Sequence, residues 1–177
     1  MEASAEKSEA SAEEKEPFLK FSRLTAAEGV GILFAIIFGI SLFLPWFVTS
    51  ETNPASKLQS ATPDITGPGQ TGSAWQVYPW AKWAFLAAVI APFILAWIVA
   101  RGHKLSWKPG EVTMIVGITA FILVLCNGIV LGKPENKIDI GFEYGYPIAL
   151  VSSFGMAVCG FIRQAYYVDA KKPPGTI

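Results

Sequence analysis

Apolar and charged residues alternate in long blocks along the chain. Four runs of about twenty residues carry no Asp, Glu, Lys or Arg, and each is bounded on both sides by a charged residue. At about 1.5 Å per helical residue, the runs span about 27 to 33 Å, which matches the hydrocarbon core of a bilayer. The pattern predicts four transmembrane helices. The runs are Gly29 to Ser50, Trp83 to Ala100, Val112 to Gly132 and Tyr144 to Ile162.

Residues that flank these runs set the expected helix bounds. Thr25 and Glu28 have the spacing of a capping box, Pro45 suits the outer end of the first helix, and Pro109 suits the first turn of the third. We predict an all-α fold, an integral membrane four-helix bundle that occupies residues 23–166. Its helices are expected at about 28–48, 81–101, 110–132 and 143–163.

Both ends of the chain are predicted to be tails. Residues 1–22 contain a near repeat of seven residues that is rich in Glu, Ala and Ser and has no large apolar side chain to bury. Such a composition predicts a disordered acidic tail. A partner-docking arm is the alternative interpretation of this segment. Residues 167–177 are expected to form the second tail.

Basic residues are distributed unevenly between the two sides of the predicted bundle. Ten of the 14 Lys and Arg residues lie in the N-terminal segment, the second loop and the C-terminal segment. By the positive-inside rule, both termini are expected to be cytoplasmic. The long first loop, at about residues 51–82, and the third loop, at about 133–143, are then extracytoplasmic.

Composition agrees with a membrane class and gives little support for catalysis. The chain is 52% hydrophobic and has a mean hydropathy of +0.42, which is high for a soluble domain. None of the four charge-free runs contains an Asp, Glu, Lys, Arg or His residue, His103 is the single histidine, and Cys126 and Cys159 fall at different depths. We therefore expect a protein that is not an enzyme, with no catalytic, cofactor-binding or metal-binding residue and no nucleic-acid partner.

Aromatic residues next to the predicted spans are the best candidates for contacts outside the chain. They are expected to lie at the membrane interface or, alternatively, to bind a partner in the cell envelope. Asn127, inside the third span, is expected to make a polar contact between helices, with a substrate contact as the alternative. The aromatic candidates are Trp46, Trp75, Tyr78, Trp80 and Trp83.

Small residues recur every four positions on three of the predicted helices. Such stripes allow close backbone approach in lipid, so they predict packing faces. They contain Gly31, Ala35 and Gly39 on the first helix, Ala84, Ala88, Ala96 and Ala100 on the second, and Ala149, Ser153 and Ala157 on the fourth.

Several short motifs resemble those of small four-span membrane proteins of uncharacterised function that are common in actinobacteria. They lie before and at the end of the first helix, before the second helix and at the start of the fourth. This resemblance covers roughly residues 23–163 and implies a multi-pass protein of the bacterial plasma membrane. The motifs are Arg23-Leu-Thr-Ala-Ala-Glu28, Ser41-Leu-Phe-Leu-Pro-Trp-Phe47, Ser73-Ala-Trp-Gln76 and Glu143-Tyr-Gly-Tyr146.

Two functions follow as hypotheses from this sequence. The first is a non-enzymatic integral membrane protein that acts as an accessory subunit or scaffold of a membrane or cell-envelope assembly, in contact with the lipid bilayer and with other membrane proteins. The alternative is a small transporter or lipid-handling protein whose cavity is bounded by Asn127 and the segment from Trp75 to Trp83. The sequence does not specify the oligomeric state.

Overall fold

The computed structural model describes residues 24–60, 63–102, 108–131, 133–134 and 139–169. The predicted acidic tail, 1–22, lies outside these residues, as does 170–177 of the predicted C-terminal tail. Five α-helices and a π-helical turn lie within the described part of the chain. They are α1 (Ala26–Ser41), α2 (Ala74–Val77), α3 (Ala81–Ala100), α4 (Pro109–Leu125), the π-turn (Cys126–Val130) and α5 (Gly145–Asp169).

Five short strands accompany the helices in the same described residues. They are β1 (Pro45–Thr49), β2 (Lys57–Leu58), β3 (Ile65–Thr66), β4 (Thr71–Ser73) and β5 (Ile140–Phe142). Strands β4, β1 and β5 form an antiparallel sheet in that order, with Phe47 opposite Gly72 on one side and Phe142 on the other. Strands β2 and β3 form an antiparallel pair. The protein is therefore mostly helical but carries sheets that the all-α prediction lacks.

The first helix is shorter than predicted. The capping box is present, since the Thr25 backbone N–H donates to a Glu28 carboxylate oxygen over 2.7 Å. However, α1 ends at Ser41, and the chain turns into β1 instead of remaining helical to about residue 48. Pro45 has no N–H for a helical hydrogen bond and disfavours a helical residue before it. The aromatic and β-branched residues that follow suit a strand.

The other long helices match their predicted bounds more closely. Helix α3 begins at Ala81 and contains Pro92, α4 begins at Pro109, and α5 continues to Asp169, beyond the predicted end at 163. Three segments are long and apolar enough to cross a membrane, namely Ala81–Ala100, Gly110–Val130 and Gly145–Tyr166. Helix α1 is apolar but has only 16 residues.

The four long helices pack in a ring of pairwise contacts. Helix α5 lies against α1 and α4, and α3 lies against the same two helices. The side chains of Glu28, near the start of α1, and Arg163, in the last third of α5, meet in an ion pair. Gly110, at the start of α4, approaches Gly160 of α5. The end of the molecule that holds these two contacts is called the inner end. The end that carries β1, β4 and β5 is called the outer end.

Helices α4 and α5 are in backbone contact along their seam. A Cβ atom at Gly117 would lie 2.4 Å from the Ala157 backbone nitrogen, and one at Gly160 would lie 2.3 Å from the Met114 backbone nitrogen. Any side chain there would push the helices apart. Most of the predicted small-residue stripes are buried, including Ala35, Ala149, Ser153 and Ala157, whereas Ala84 is exposed.

Candidate functional site

The outer end is built around Trp46. This residue is the second of strand β1, and its indole is fully buried. Its ring centroid lies 5.6 Å from that of Tyr146, 5.8 Å from Phe85 and 6.0 Å from Tyr78. Its indole N–H donates to the Ser41 carbonyl over 2.6 Å. Buried aromatic rings that meet edge to face stabilise a core beyond the area they remove from water.

Trp46 and Tyr78 are thus core residues of the outer end, although the sequence placed both among the candidate interfacial or partner-binding residues. Tyr78 packs against Trp46, Phe47 and Phe85. Burial raises the pKa of its phenol, and the nearby Tyr146 raises it further. Tyr78 is therefore a neutral hydrogen-bond donor at physiological pH. Neither ring is available to a partner without opening this core.

Asn127 lies in the π-turn, and its side chain serves its own helix. The amide nitrogen donates to the Leu123 carbonyl over 2.8 Å. Within the turn, the Leu131 N–H donates to the Cys126 carbonyl, one residue further back than in an α-helix. The contact with another element is made by the Asn127 backbone, whose carbonyl accepts from the Tyr78 hydroxyl. Tyr146 donates likewise to Val124, over 3.1 Å. The tyrosines thereby tie the π-turn to the outer end.

Trp75 and Trp83 belong to a different surface. Together with Phe43 and Lys82 they form what we call the outer aromatic patch. Trp75 stacks on Phe43 with centroids 5.3 Å apart and meets Trp83 at 5.7 Å and 67°. The Lys82 ammonium lies 5.2 Å from the Trp75 ring and 5.8 Å from the Trp83 ring. Phe43 and Trp83 are exposed. The patch is an open corner of rings around one cation.

Trp80 is the most exposed of the five aromatic candidates. Its side chain is 85% exposed, and its ring pairs with no other aromatic ring of the described residues. The five candidates therefore divide into two buried residues, two that share the patch and one that stands alone. A ring of this size in water is a source of binding energy for a partner that covers it.

One ion pair closes the hairpin of the first loop. The Lys57 ammonium lies 2.5 Å from an Asp64 carboxylate oxygen, and the Ser60 backbone N–H donates to the other oxygen over 3.1 Å. The hydrogen bond from Lys57 and the bond from Ser60 hold the pKa of Asp64 below its ordinary value. This part of the long first loop is thus fixed by the pairing of β2 with β3 and by this carboxylate.

The inner end holds a charged pair that sequence reasoning missed. The Arg163 Nε lies 3.2 Å from Glu28 Oε1, and both side chains are about 15% exposed, at 16% and 14%. The Arg163 Nε forms no hydrogen bond with this oxygen, so the contact is an ion pair only. Glu28 Oε2 accepts from Thr25. In the sequence, Glu28 and Arg163 are seen only as charged residues that flank the first and the fourth apolar runs, so their pairing could not be predicted.

Beside this pair lies a cavity of about 10 Å³, room for about one water molecule. Thr113 and Cys159 are among its lining residues. Cys126 and Cys159 are both free thiols. Within the described ranges, no cluster of three His, Cys, Asp or Glu side chains is placed to hold a metal ion.

A larger apolar groove runs along the outside of the α4–α5 seam. Its volume is about 240 Å³, and the surface that lines it is entirely apolar. The rings of Phe121 and Phe154 meet beside it at 5.5 Å. Neither Asn127 nor the segment from Trp75 to Trp83 contributes to it. The lining residues are Met114, Ile118, Phe121, Phe154, Ala157, Val158 and Phe161.

Comparisons with protein-family models, with curated proteins and with solved structures find no match. The resemblance to small four-span membrane proteins of actinobacteria stays a prediction. Function must therefore be inferred from the surfaces and contacts of this chain.

Proposed function

We propose that this protein is a non-enzymatic integral membrane protein that acts as an accessory subunit or scaffold of a membrane or cell-envelope assembly. One observation carries the proposal: several polar side chains of the long helices make contacts that hold the fold together, while the most exposed aromatic ring of the described residues, that of Trp80, takes part in none of them. Ser152 and Ser153 donate to carbonyls of their own helix, Asn127 does the same, and Glu28 pairs with Arg163.

We further propose that α1, α3, α4 and α5 all cross the membrane, with both termini in the cytoplasm. Large apolar side chains are exposed along the outward faces of all four helices, including Ile36, Ile94, Ile118 and Val151. Exposed side chains of this kind are stable in lipid and costly in water. The excess of basic residues in the N-terminal segment, the second loop and the C-terminal segment of the sequence supports the orientation. The outer sheet is then extracytoplasmic.

The surface that we propose for partner binding is centred on Trp80. Contacts between proteins are dominated by a few large side chains, among which Trp and Tyr are enriched. Trp80 is 85% exposed and stands at the start of α3, next to the buried outer core. A rigid support reduces the conformational entropy that binding removes. Tyr78, two residues before Trp80, belongs to that buried core.

Purification from native membranes in a mild detergent tests this proposal. The wild-type protein should bring down the same membrane proteins in repeated preparations, and Trp80→Ala should lose most of them. Trp97→Ala is the matched control, because Trp97 is also exposed, at 49%, but lies near the other end of α3. An isolated protein under every condition, or equal loss in both variants, would contradict the proposal.

The orientation has a separate test. Cysteines introduced at Glu51, in the first loop, and at Lys108, before α4, should react with a membrane-impermeant thiol reagent from opposite sides. Both positions are exposed, and the background would carry alanine at Cys126 and Cys159. Reaction of both cysteines from one side would overturn the proposed arrangement of the termini.

A lipid-handling protein is a second candidate, favoured by the groove on the α4–α5 seam. Its apolar lining and its volume of about 240 Å³ suit part of an acyl chain. Ile118→Trp would fill it from an exposed position. If the protein moves fluorescent lipids between the leaflets of vesicles and this variant does not, lipid handling is supported; absence of movement with the wild-type protein removes this candidate.

A further inference from the structure

The Lys82 ammonium has an unusual electrostatic environment at the outer end. It faces the rings of Trp75 and Trp83 at 5.2 and 5.8 Å. The ion pairs formed among the described residues use Lys57 and Arg163 instead. No carboxylate of the described part therefore neutralises Lys82. Interaction with the ring faces stabilises the cation but adds no negative charge.

The same corner offers further hydrogen-bond donors. An indole has one N–H donor and no acceptor. Neither the Trp75 nor the Trp83 indole N–H donates to another residue of the described chain, in contrast to Trp46, whose N–H donates to Ser41 over 2.6 Å. One cation and two indole N–H groups that bond to no other described residue thus share this corner. A ligand that satisfies them all would be anionic and rich in oxygen.

The position of the corner indicates where such a ligand would come from. Lys82 and Trp83 lie in the first turn of α3, and the exposed residues Ile90 and Ile94 continue the surface along the helix. At the other end, the Arg101 guanidinium lies 4.8 Å from the Trp97 ring. The two tryptophan–cation pairs lie near opposite ends of α3, whose 20 residues span about 30 Å, the thickness of the hydrocarbon core of a bilayer.

We infer that Lys82, Trp75 and Trp83 form a binding site for the phosphate group of an anionic phospholipid in the outer leaflet. This inference rests on the proposed membrane embedding. The Lys82 ammonium would pair with the phosphate, and the indoles would donate to phosphate or ester oxygens. Phe43 extends the apolar side of the site beneath them. A choline headgroup fits less well, since its quaternary ammonium would be repelled by Lys82 and finds the ring faces already used by this lysine.

Native mass spectrometry of the full-length protein in detergent tests the inference by titration with phosphatidylglycerol and, separately, with phosphatidylcholine. We expect the first lipid to bind about fivefold more tightly, the effect of one basic side chain near a lipid surface. Lys82→Gln should abolish this preference and Lys82→Arg should keep it. Trp75→Phe combined with Trp83→Phe, which keeps the rings and removes both N–H groups, should reduce it.

Lys108→Gln is the matched control, because Lys108 is an exposed lysine at the inner end. Equal loss of preference in Lys108→Gln and Lys82→Gln would show general attraction by positive charge and overturn the inference, as would equal binding of the two lipids by the wild-type protein. Unfolding temperatures in phosphatidylcholine alone identify a variant that fails to fold. Membrane embedding is judged separately: a protein that alkaline carbonate releases from membranes contradicts the proposed function itself.

Discussion

The outer and inner ends of this molecule are held together by different chemistry. At the outer end, a buried indole is surrounded by aromatic rings, and three strands from separate parts of the chain pair beside it. At the inner end, helices meet through glycine and one ion pair. Large aromatic rings fill the space between helices and strands whose backbones are far apart, whereas glycine allows two helix backbones to come into contact. Packing at the outer end therefore depends on large side chains, and packing at the inner end depends on residues that have no side chain.

The largest expected effect comes from removing the central ring of the outer end. Trp46→Ala should lower the free energy of unfolding by about 3–5 kcal/mol, since it leaves a cavity among four aromatic neighbours. Trp80→Ala should change it by less than about 0.5 kcal/mol, because that ring is exposed. Thermal unfolding in detergent compares the two variants. Similar losses would show that the outer core does not depend on Trp46.

The next effect comes from adding volume to the seam between α4 and α5. Gly117→Val places side-chain atoms against the Ala157 backbone, where even a Cβ would lie 2.4 Å from the nitrogen. We expect a loss of about 3 kcal/mol, because backbone atoms cannot move aside as side chains do. Gly29→Ala is the control, since a Cβ there meets nothing within 4 Å. A stable Gly117→Val protein would contradict direct helix contact.

Neutralising the inner ion pair should have a moderate effect. Glu28→Gln retains an oxygen that can accept from Thr25 but removes the charge opposite Arg163. We expect a loss of about 1–3 kcal/mol, less than for a fully buried pair because both side chains keep some contact with solvent. A double-mutant cycle with Arg163→Met measures the interaction itself. A coupling energy of zero would mean that the two charges act independently.

A smaller effect is expected where the π-turn meets the outer end. Tyr78→Phe keeps the ring but leaves the Asn127 carbonyl without its hydroxyl donor. We expect a loss of about 1 kcal/mol. Tyr144→Phe is the matched control, because this tyrosine is 54% exposed. Unfolding temperatures that differ between the variants by less than the error would rule out a stabilising role for this bond.

The smallest effect concerns the hairpin of the first loop and depends on pH. Because the folded-state pKa of Asp64 is lowered, its contribution is fully present above the ordinary aspartate pKa and is lost as the pH falls through the lower, folded value. The protection factor of the Ser60 amide, its exchange rate compared with that of an unstructured peptide at the same pH, should therefore fall in acid, because this amide donates to Asp64. Asp64→Asn should remove this pH dependence. A fall in protection that persists in the variant would have another origin.

Sequence patterns predicted the long helices because length and apolar composition are local properties. The start of α3 at Ala81 was predicted correctly, and α4 begins within one residue of its predicted start. The end of α1 was placed too late, since the charge-free run continues to Ser50. Pro45 and the aromatic and β-branched residues after it already favoured a strand. Absence of charge alone cannot distinguish a helix from a buried strand.

The contacts between distant segments could not be derived in this way. Strands β4 and β5 have three residues each, too few for a recognisable alternation, so their pairing with β1 could not be predicted. The tightest seam uses Gly110, Gly117 and Gly160, which escape a search for small residues every four positions. Aromatic residues close in sequence, such as Tyr78 and Trp80, have opposite exposures, because neighbouring side chains point in different directions.

The order of strands in the outer sheet has a consequence for biosynthesis. Strand β1 lies between β4, which is made soon after it, and β5, which is made only after α4. Until residues 140–142 leave the ribosome, one edge of β1 has no partner. An unpaired strand edge is a site for wrong pairing or for recognition by quality control. Closure of the sheet can thus mark a chain whose translation has passed its last loop, and distinguish it from a truncated one.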